Sequence, residues 1–424
     1  MPKKTGTPVK NSLDFLYSLR NQGSKFGMAR MIQFCEELGN PQLTYATIHV
    51  AGTNGKGSVC TMLDRIYRAH GYKVGLFTSP HLLELGERIR VNGRNLPFAE
   101  IEKWVDHCFP YFEKNEDTKE SVWPTFFELM TAIAFLEFKK QKVDLAIIET
   151  GLGGRLDSTN VVIPELSILT SVGLDHCEIL GHEIAQIASE KAGIIKENKP
   201  VLTGCLPGEA MEVVTQVAQQ QNAKLHQISS QDSDHFPGTN LSGSFQQRNA
   251  SLAYQATRIL EKLFPLEERK VEQALQSVRF PGRWQKISTQ PTVILDACHN
   301  GQGAEVSTEL WDTLPEGFHL WFSACGEERG RDVLIPLSQR TQNITFVELN
   351  QPRATSLEDF RKISEELSIS AHYAREKDIP KLYSLIEQHS TLLVTGSIYL
   401  VSAVLGQFTQ SKNPDHKKNW QDHW

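Results

Sequence analysis

Between the β-branched run Thr47-Ile48-His49-Val50 and an amphipathic segment, the chain places Ala51-Gly52-Thr53-Asn54-Gly55-Lys56-Gly57-Ser58. That order predicts a strand, a glycine-rich turn and a helix. Val59, Met62, Leu63, Ile66 and Tyr67 fall at helical spacing and predict a helix with one apolar stripe, ended by Gly71. A polyphosphate is held best by backbone N–H groups at a helix N-terminus, where glycine permits close approach and lysine adds a point charge. Gly52, Thr53, Asn54, Gly55, Lys56, Gly57 and Ser58 are therefore candidate nucleotide-binding residues. The spacing departs from the common Walker loop: two residues separate Gly52 from Gly55, and Gly57 stands between Lys56 and Ser58. A glycine-rich turn that binds nothing is the competing reading, and the strand-loop-helix context argues against it.

The βα alternation continues. Strands are predicted at 73–78, 143–148, 167–170 and 200–203, and helices at 126–140 and 182–195, as in a doubly wound parallel sheet. A polar stretch at 227–244 reads as an irregular excursion, followed by helices beginning near Gln247 and near Val271. Past Pro281-Gly282 the pattern restarts, with strands at 292–295, 319–323, 345–349 and 392–395 and helices at 332–340, 357–367 and 379–388. A chain of 424 residues exceeds what one core usually serves. The expected α/β architecture is a P-loop-type parallel-sheet ATPase domain over residues 1–282, a smaller Rossmann-like domain over 283–412, and a flexible tail at 413–424.

A formal charge of −6 offers no basic face for nucleic acid. No stretch approaches the ~18 uninterrupted apolar residues of a membrane span, and Met1-Pro2-Lys3-Lys4 leads into no apolar signal region. The seven cysteines are widely spaced without a C-x-x-C pair, and read as free thiols in a reducing cytoplasm.

Chemistry-bearing residues follow several predicted strands directly. Ser79, Glu149 and His176 each come after one, at the carboxyl edge where open parallel sheets bind ligands. Taken singly, Glu149 also reads as a solvated strand end, His176 as a packed histidine, Lys191 as a surface lysine and Asp157 as a turn former.

Further motifs occur in order: Leu38-Gly39-Asn40-Pro41-Gln42, Thr78-Ser79-Pro80-His81-Leu82, Glu149-Thr150-Gly151-Leu152-Gly153-Gly154-Arg155-Leu156-Asp157, Glu190-Lys191-Ala192-Gly193-Ile194, Gln247-Arg248-Asn249-Ala250, Pro281-Gly282-Arg283-Trp284, Leu295-Asp296-Ala297-Cys298-His299-Asn300 and Thr395-Gly396-Ser397. Together with the glycine loop, this set resembles the folylpolyglutamate synthase/dihydrofolate synthase family of the Mur ligase superfamily, over nearly the whole chain. The resemblance implies a ligase that uses ATP and Mg²⁺ to activate a pteroate or folate carboxylate as an acyl phosphate and join it to L-glutamate. It implies that Ser79, Glu149 and His176 hold Mg²⁺ and that Lys191 is carbamylated to hold a second ion. Asn249, Arg283 and Asp296 match nucleotide contacts, which places ATP between the two domains, and His299 matches a residue that orients phosphate or glutamate. Thr125, Phe127, Glu128 and Asp157 match the pteroate site, as does the stretch around Phe26-Gly27-Met28, where Ala29 replaces a frequent acidic residue. Cys298 and Gly301 replace the usual alanine and proline, and the stretch 324–332 lacks the usual histidine-containing loop, so recognition of glutamate differs there in detail.

The partners so implied are small molecules, with no nucleic acid and no membrane, and the implied state is a monomer. A peptidoglycan-building Mur ligase is the rival within the class, and the ~50 residues before Gly52 are too few for its extra N-terminal domain. A nucleotide switch without ligase chemistry is the rival outside it, and leaves Asp157, Arg283, Asp296 and His299 without a task. The sequence leaves open a folylpolyglutamate synthase alone or one that also makes dihydrofolate; Asp157 leans toward both.

Overall fold

The computed structural model describes Phe15, Leu16, Leu19 and residues 27–114, 124–228 and 236–409. The expected tail at 413–424, Phe26, the start of the chain and residues 229–235 of the 227–244 excursion lie outside the described residues.

Two sheets organise the chain. The first runs β4-β3-β2-β5-β1-β6-β7-β8, where β1 is Ala46–Ala51, β2 Val74–Phe77, β3 Ile89–Val91, β4 Arg94–Asn95, β5 Leu145–Glu149, β6 Leu166–Leu169, β7 Val201–Thr203 and β8 Leu225–Gln227. From β2 across to β8 every pairing is parallel, and β3 and β4 add an antiparallel edge. On one side the chain moves outward from β1 through β6, β7 and β8; on the other it returns after the β3–β4 edge to place β5 between β1 and β2. The second sheet runs β13-β12-β11-β14-β10-β9, with β9 Gln285–Thr289, β10 Thr292–Leu295, β11 His319–Phe322, β12 Asn343–Glu348, β13 Ala371–Arg375 and β14 Thr391–Thr395. Only β9 is antiparallel there.

Strands buried on both faces carry near-continuous apolar runs, because helices cover each side of a parallel sheet. Every residue of β2, β5 and β6 is buried. The helix Lys56–Ala69 corrects the single-stripe expectation. Helices Ser244–Ile259 and Glu268–Leu275 cover its outer side, so Ser58 through Asp64, Ile66 and Tyr67 are all buried. Asp64 tolerates that position by pairing with Arg68 at 2.7 Å.

The helix expected at 379–388 spans only Ile379–Ser384, and Leu385 beyond it is exposed to solvent. Strands β8, β9 and β13 and the β3–β4 hairpin were not foreshadowed by the hydrophobic pattern. β9 shows why: none of its residues is fully buried, so no period-2 apolar face is written into it. The helices Phe98–Lys114, Gly208–Gln220, Gly301–Trp311 and Ile398–Thr409 were also missed. Phe98–Lys114 contains Pro110, and Gly208 and Gly301 stand at helix starts where glycine is a poor helix former.

The sheets touch through Leu82 and Leu83, which follow β2 and pack against the cluster holding Val401 and Val404 of the helix Ile398–Thr409. The Ser402 hydroxyl donates to the Leu82 carbonyl. Gly282, at φ +74°, fits between Leu82 and Val401, each 3.2 Å from where a β-carbon would stand. Among the described residues no helix is long and apolar enough to cross a membrane.

Gly75 in β2 faces the ring of Phe138, whose nearest atom would lie 2.7 Å from a β-carbon. Tyr45 stands edge-on to that ring at 6.1 Å and Phe138 is fully buried, so the ring has little freedom to retreat. Gly75→Ala is expected to destabilise the protein by about 1–3 kcal/mol through overpacking. Gly208→Ala, with nothing within 4 Å, is expected to stay within ~0.5 kcal/mol. Urea unfolding of the two variants beside the parent measures both.

Candidate active site

The glycine loop is stitched to the segment after β6. Thr53 N donates to the Ser171 carbonyl at 2.9 Å, and its hydroxyl lies 3.1 Å from the Gly173 carbonyl. Asn54 N donates to Ser171 Oγ at 2.9 Å, and Thr170 Oγ1 donates to the Asn54 carbonyl at 2.6 Å. A β-carbon on Gly52 would run into Thr170 Oγ1, so only glycine permits this approach. Gly55 takes φ +85° and opens the helix. Lys56 Nζ folds onto its own loop, donating to the carbonyls of Gly52 at 2.8 Å and Thr53 at 3.3 Å.

Neighbouring strand ends supply the next groups. Glu149 closes β5, and its Oε2 accepts from Ser79 N at 3.1 Å, just past β2. Burial pushes its carboxyl up to about 7, against the pull of Lys56 and the Ser79 amide. His176 sits at φ +50°, capping the short helix Cys177–Leu180, with its N–H donating to Asp175 Oδ1 at 2.9 Å.

Lys191 is not the surface lysine that its isolated position suggests: it is 3% exposed on the inner side of the helix Ile184–Ala192, beside buried Ile187, Ala188 and Ala192. Burial, then Lys56, lowers its ammonium to about 7, while Asp175 and Asp157 act in the opposite sense.

The second sheet completes the site from its own carboxyl edge. Asp296 follows β10 and is 5% exposed, and its Oδ2 accepts no hydrogen bond among the described residues. Burial raises it to about 6, and Arg283 counteracts. Arg283 lies with its guanidinium 5.7 Å from the Phe280 ring centre and Nη1 3.3 Å from the Ala297 carbonyl. His299 Nδ1 lies 2.9 Å from that same carbonyl. Asn249 comes from the first sheet's side, its amide donating to Gln246 Oε1 at 3.1 Å.

One cavity of about 250 Å³ is lined by the loop residues 52–58 together with Ser79, Glu149, His176, Lys191, Asn249, Arg283, Asp296 and His299. Thr125, Phe127, Glu128 and Asp157 do not line it. Thr125 and Glu128 cap their helix reciprocally, and Glu128 also takes a two-pronged ion pair from Arg30 at 2.7 and 3.0 Å. Phe127 packs on Phe77 at 5.7 Å. Asp157 accepts from the amides of Leu152 and Thr159 at 2.9 Å each, which is the turn-forming role. Asp175, Phe280, Asn300 and Tyr399 also line the cavity and escaped sequence reasoning. Asp175 was within reach, since it precedes His176 in the same turn; Asn300 caps a helix that the pattern did not reveal.

Among the described residues no three His, Cys, Asp or Glu side chains gather into a metal cage. One carboxylate, one hydroxyl and one imidazole on one carboxyl edge of the sheet suit an ion that keeps several waters and takes its other ligands from phosphate, which is the habit of Mg²⁺. The donor set therefore fits magnesium brought with a nucleotide.

Residues 50–266 match the model of the Mur ligase middle domain. The dihydrofolate synthase/folylpolyglutamate synthase of Bacillus subtilis is 34% identical over 94% of this chain and 98% of its own. The folylpolyglutamate synthase of Lacticaseibacillus casei is 37% identical over 88% and 92%. Among solved structures, Mycobacterium tuberculosis folylpolyglutamate synthase complexed with ADP is 27% identical with a TM-score of 0.84, over 95% of this chain and 100% of that one. E. coli FolC in complex with DHPP and ADP is 28% identical with a TM-score of 0.80, over 96% and 100%. With a fold, a loop and a two-sheet cavity of this kind, the chain belongs to the folylpolyglutamate synthase/dihydrofolate synthase family of Mur ligases.

Proposed function

We propose that the protein is an ATP-dependent ligase that joins L-glutamate to dihydropteroate, to reduced folates, or to both. The observation that carries this reading is the meeting of two parallel-sheet carboxyl edges, one bearing the glycine loop, Glu149 and buried Lys191, the other Asp296 and His299, around one cavity. An ATPase domain over 1–282 and a glutamate-side domain over 283–412 divide the work.

The loop amides and Lys56 hold the β- and γ-phosphates, Asn249 and Arg283 hold the rest of the nucleotide, and the unpaired Oδ2 of Asp296 accepts from a nucleotide hydroxyl. The pterin-borne carboxylate attacks the γ-phosphorus and ADP leaves. The uncharged amine of glutamate then attacks the acyl carbon, losing a proton as phosphate departs. His299 orients the departing phosphate or the incoming glutamate, and closure of the two sheets keeps water from the acyl phosphate.

Ser79, Glu149 and His176 would hold Mg²⁺, which neutralises phosphate charge as the transferred group moves. Lys191 carries the second part of the proposal. A buried amine lowered to about 7 is partly uncharged at neutral pH, the form that takes up CO₂, and the resulting carbamate would supply an oxygen ligand for a second Mg²⁺. Thr125, Phe127, Glu128 and Asp157 shape the pterin side, where Glu128 and Asp157 also act as local braces. The same reading takes the enzyme as a cytoplasmic monomer whose partners are small molecules.

Phosphate release with ATP, Mg²⁺ and L-glutamate is expected only when a pterin substrate is added. Release with both 7,8-dihydropteroate and tetrahydrofolate assigns both reactions, release with one assigns that reaction, and equal release without pterin replaces the ligase with a nucleotide switch. Peptide mass measurement in bicarbonate buffer is expected to find one added CO₂ at Lys191, and Lys191→Ala to lower kcat by roughly 10²-fold or more. An unmodified Lys191 together with an active alanine variant would overturn the carbamate.

A further inference from the structure

A cluster of side-chain amides bridges the two sheets beside the nucleotide loop. Asn54, in the middle of the loop, and Asn300, at the start of the helix Gly301–Trp311, exchange amide hydrogen bonds at 3.2 Å in both directions. Asn54 Nδ2 also donates to Gln302 Oε1 at 3.0 Å, and Gln302 Nε2 reaches the Val172 carbonyl at 3.4 Å. Asn300 Nδ2 donates to Asp175 Oδ2 at 3.0 Å, while its Oδ1 accepts from Gly303 N at 2.8 Å.

The donor count fixes the orientation of each amide. Gly303 N can only donate, so the oxygen of Asn300 must face it, which turns the Asn300 nitrogen toward the Asp175 carboxylate and the Asn54 oxygen. The two hydrogens of Asn54 are then divided between Asn300 and Gln302. Gln302 thus has one oxygen on the nucleotide loop and one nitrogen on the segment after β6, and it lies flat over Gly173, where a β-carbon would stand 2.7 Å from its amide.

We propose that Gln302 is a positioning residue: by bonding Asn54 and the Val172 carbonyl together, it clasps the nucleotide loop and the His176-bearing segment to the second sheet, so that sheet closure and phosphate binding reinforce each other. The clasp comes from the glutamate-side domain, contributes no atom to the reaction, and acts only on where the loop and its neighbour stand. Asn300 also caps its own helix, so its replacement would mix two effects; Gln302, half-buried two residues further on, isolates the clasp.

The inference deepens the ligase reading, and its test separates the two. ADP binding by calorimetry needs no pterin and no turnover. Gln302→Ala is expected to weaken ADP roughly 10-fold while lowering the ligand-free thermal midpoint by no more than a few degrees, since two hydrogen bonds that pre-organise the closed state are lost. In turnover, the same variant is expected to raise KM for ATP more than it lowers kcat and to release more phosphate per amide formed than the parent, because loosened closure admits water to the acyl phosphate. Gly173→Ala, which pushes the Gln302 amide aside, is expected to reproduce this pattern, and the double variant to be no weaker than either single one. Parental ADP affinity and coupling in Gln302→Ala, or additive losses in the double variant, would overturn the clasp. Should the parent make no pterin-dependent amide, the ligase reading falls while the ADP measurement still decides the clasp.

Discussion

The close approach of the nucleotide loop to the end of β6 is the contact on which the site depends. A hydroxyl and a backbone amide from residues 170 and 171 occupy the space where any side chain at position 52 would stand. Because that space is filled, the loop carbonyls of Gly52 and Asn54 have fixed partners or neighbours, the amides of Thr53 and Asn54 are taken by Ser171, and Lys56 is drawn back onto the loop. From this seam the other distances are set by sheet geometry. β6, β1, β5 and β2 are consecutive in the sheet, so their carboxyl ends deliver the 170–176 segment, the loop, Glu149 and Ser79 at successive strand spacings.

Burial of ionisable groups around this cavity has an electrostatic logic. Glu149 and Asp296 are pushed up and Lys191 is pushed down, all first by loss of water. None of the three is fully neutralised by a salt bridge at hydrogen-bonding range among the described residues. Desolvated groups without a close counter-charge are costly to maintain, and they persist where an incoming ligand completes them. Asp296 presents a bare acceptor, Lys191 a desolvated amine, and Glu149 a carboxylate held by one backbone amide. A polyphosphate with its metal would supply the missing charges of both signs at once. The polar part of the protein is therefore preorganised at the expense of its ligand-free stability, which is the general condition for electrostatic catalysis.

The sequence made legible what local chemistry writes plainly. The loop, the buried strands β2, β5 and β6 and the placement of Ser79, Glu149 and His176 at their ends follow from apolar runs interrupted by glycine and polar residues. Lys191 was illegible as a buried group, because one lysine in a nine-residue helix reveals its direction only when the facing surface is known. The wholly enclosed helix Lys56–Ala69 misled in the same way: its apolar stripe was real, but cysteine, serine and threonine on its other side pack against two later helices. The helix Gly301–Trp311 hid behind glycines at both Gly301 and Gly303, and with it went Asn300 and Gln302. Long-range placement of small or polar residues is what no periodicity encodes.

The residues matched to the pteroate site and the residues lining the cavity also divide by physical task. Glu128 spends its oxygens on a helix cap and on Arg30, and Asp157 spends its own on two backbone amides and Thr159. Each ties a distant segment to the helix or turn it caps: Arg30 lies in the helix Ala29–Glu37, and Thr159 bonds His49 in the strand that carries the loop. His49 is wholly buried, and burial lowers it to about 3, so it stays neutral and its ring nitrogen serves that hydrogen bond rather than a proton transfer. A change at Asp157 would therefore reach β1 through Thr159 and His49. The chain from Asp157 to the loop-bearing strand is how a turn outside the cavity lining still helps to set the cavity's shape.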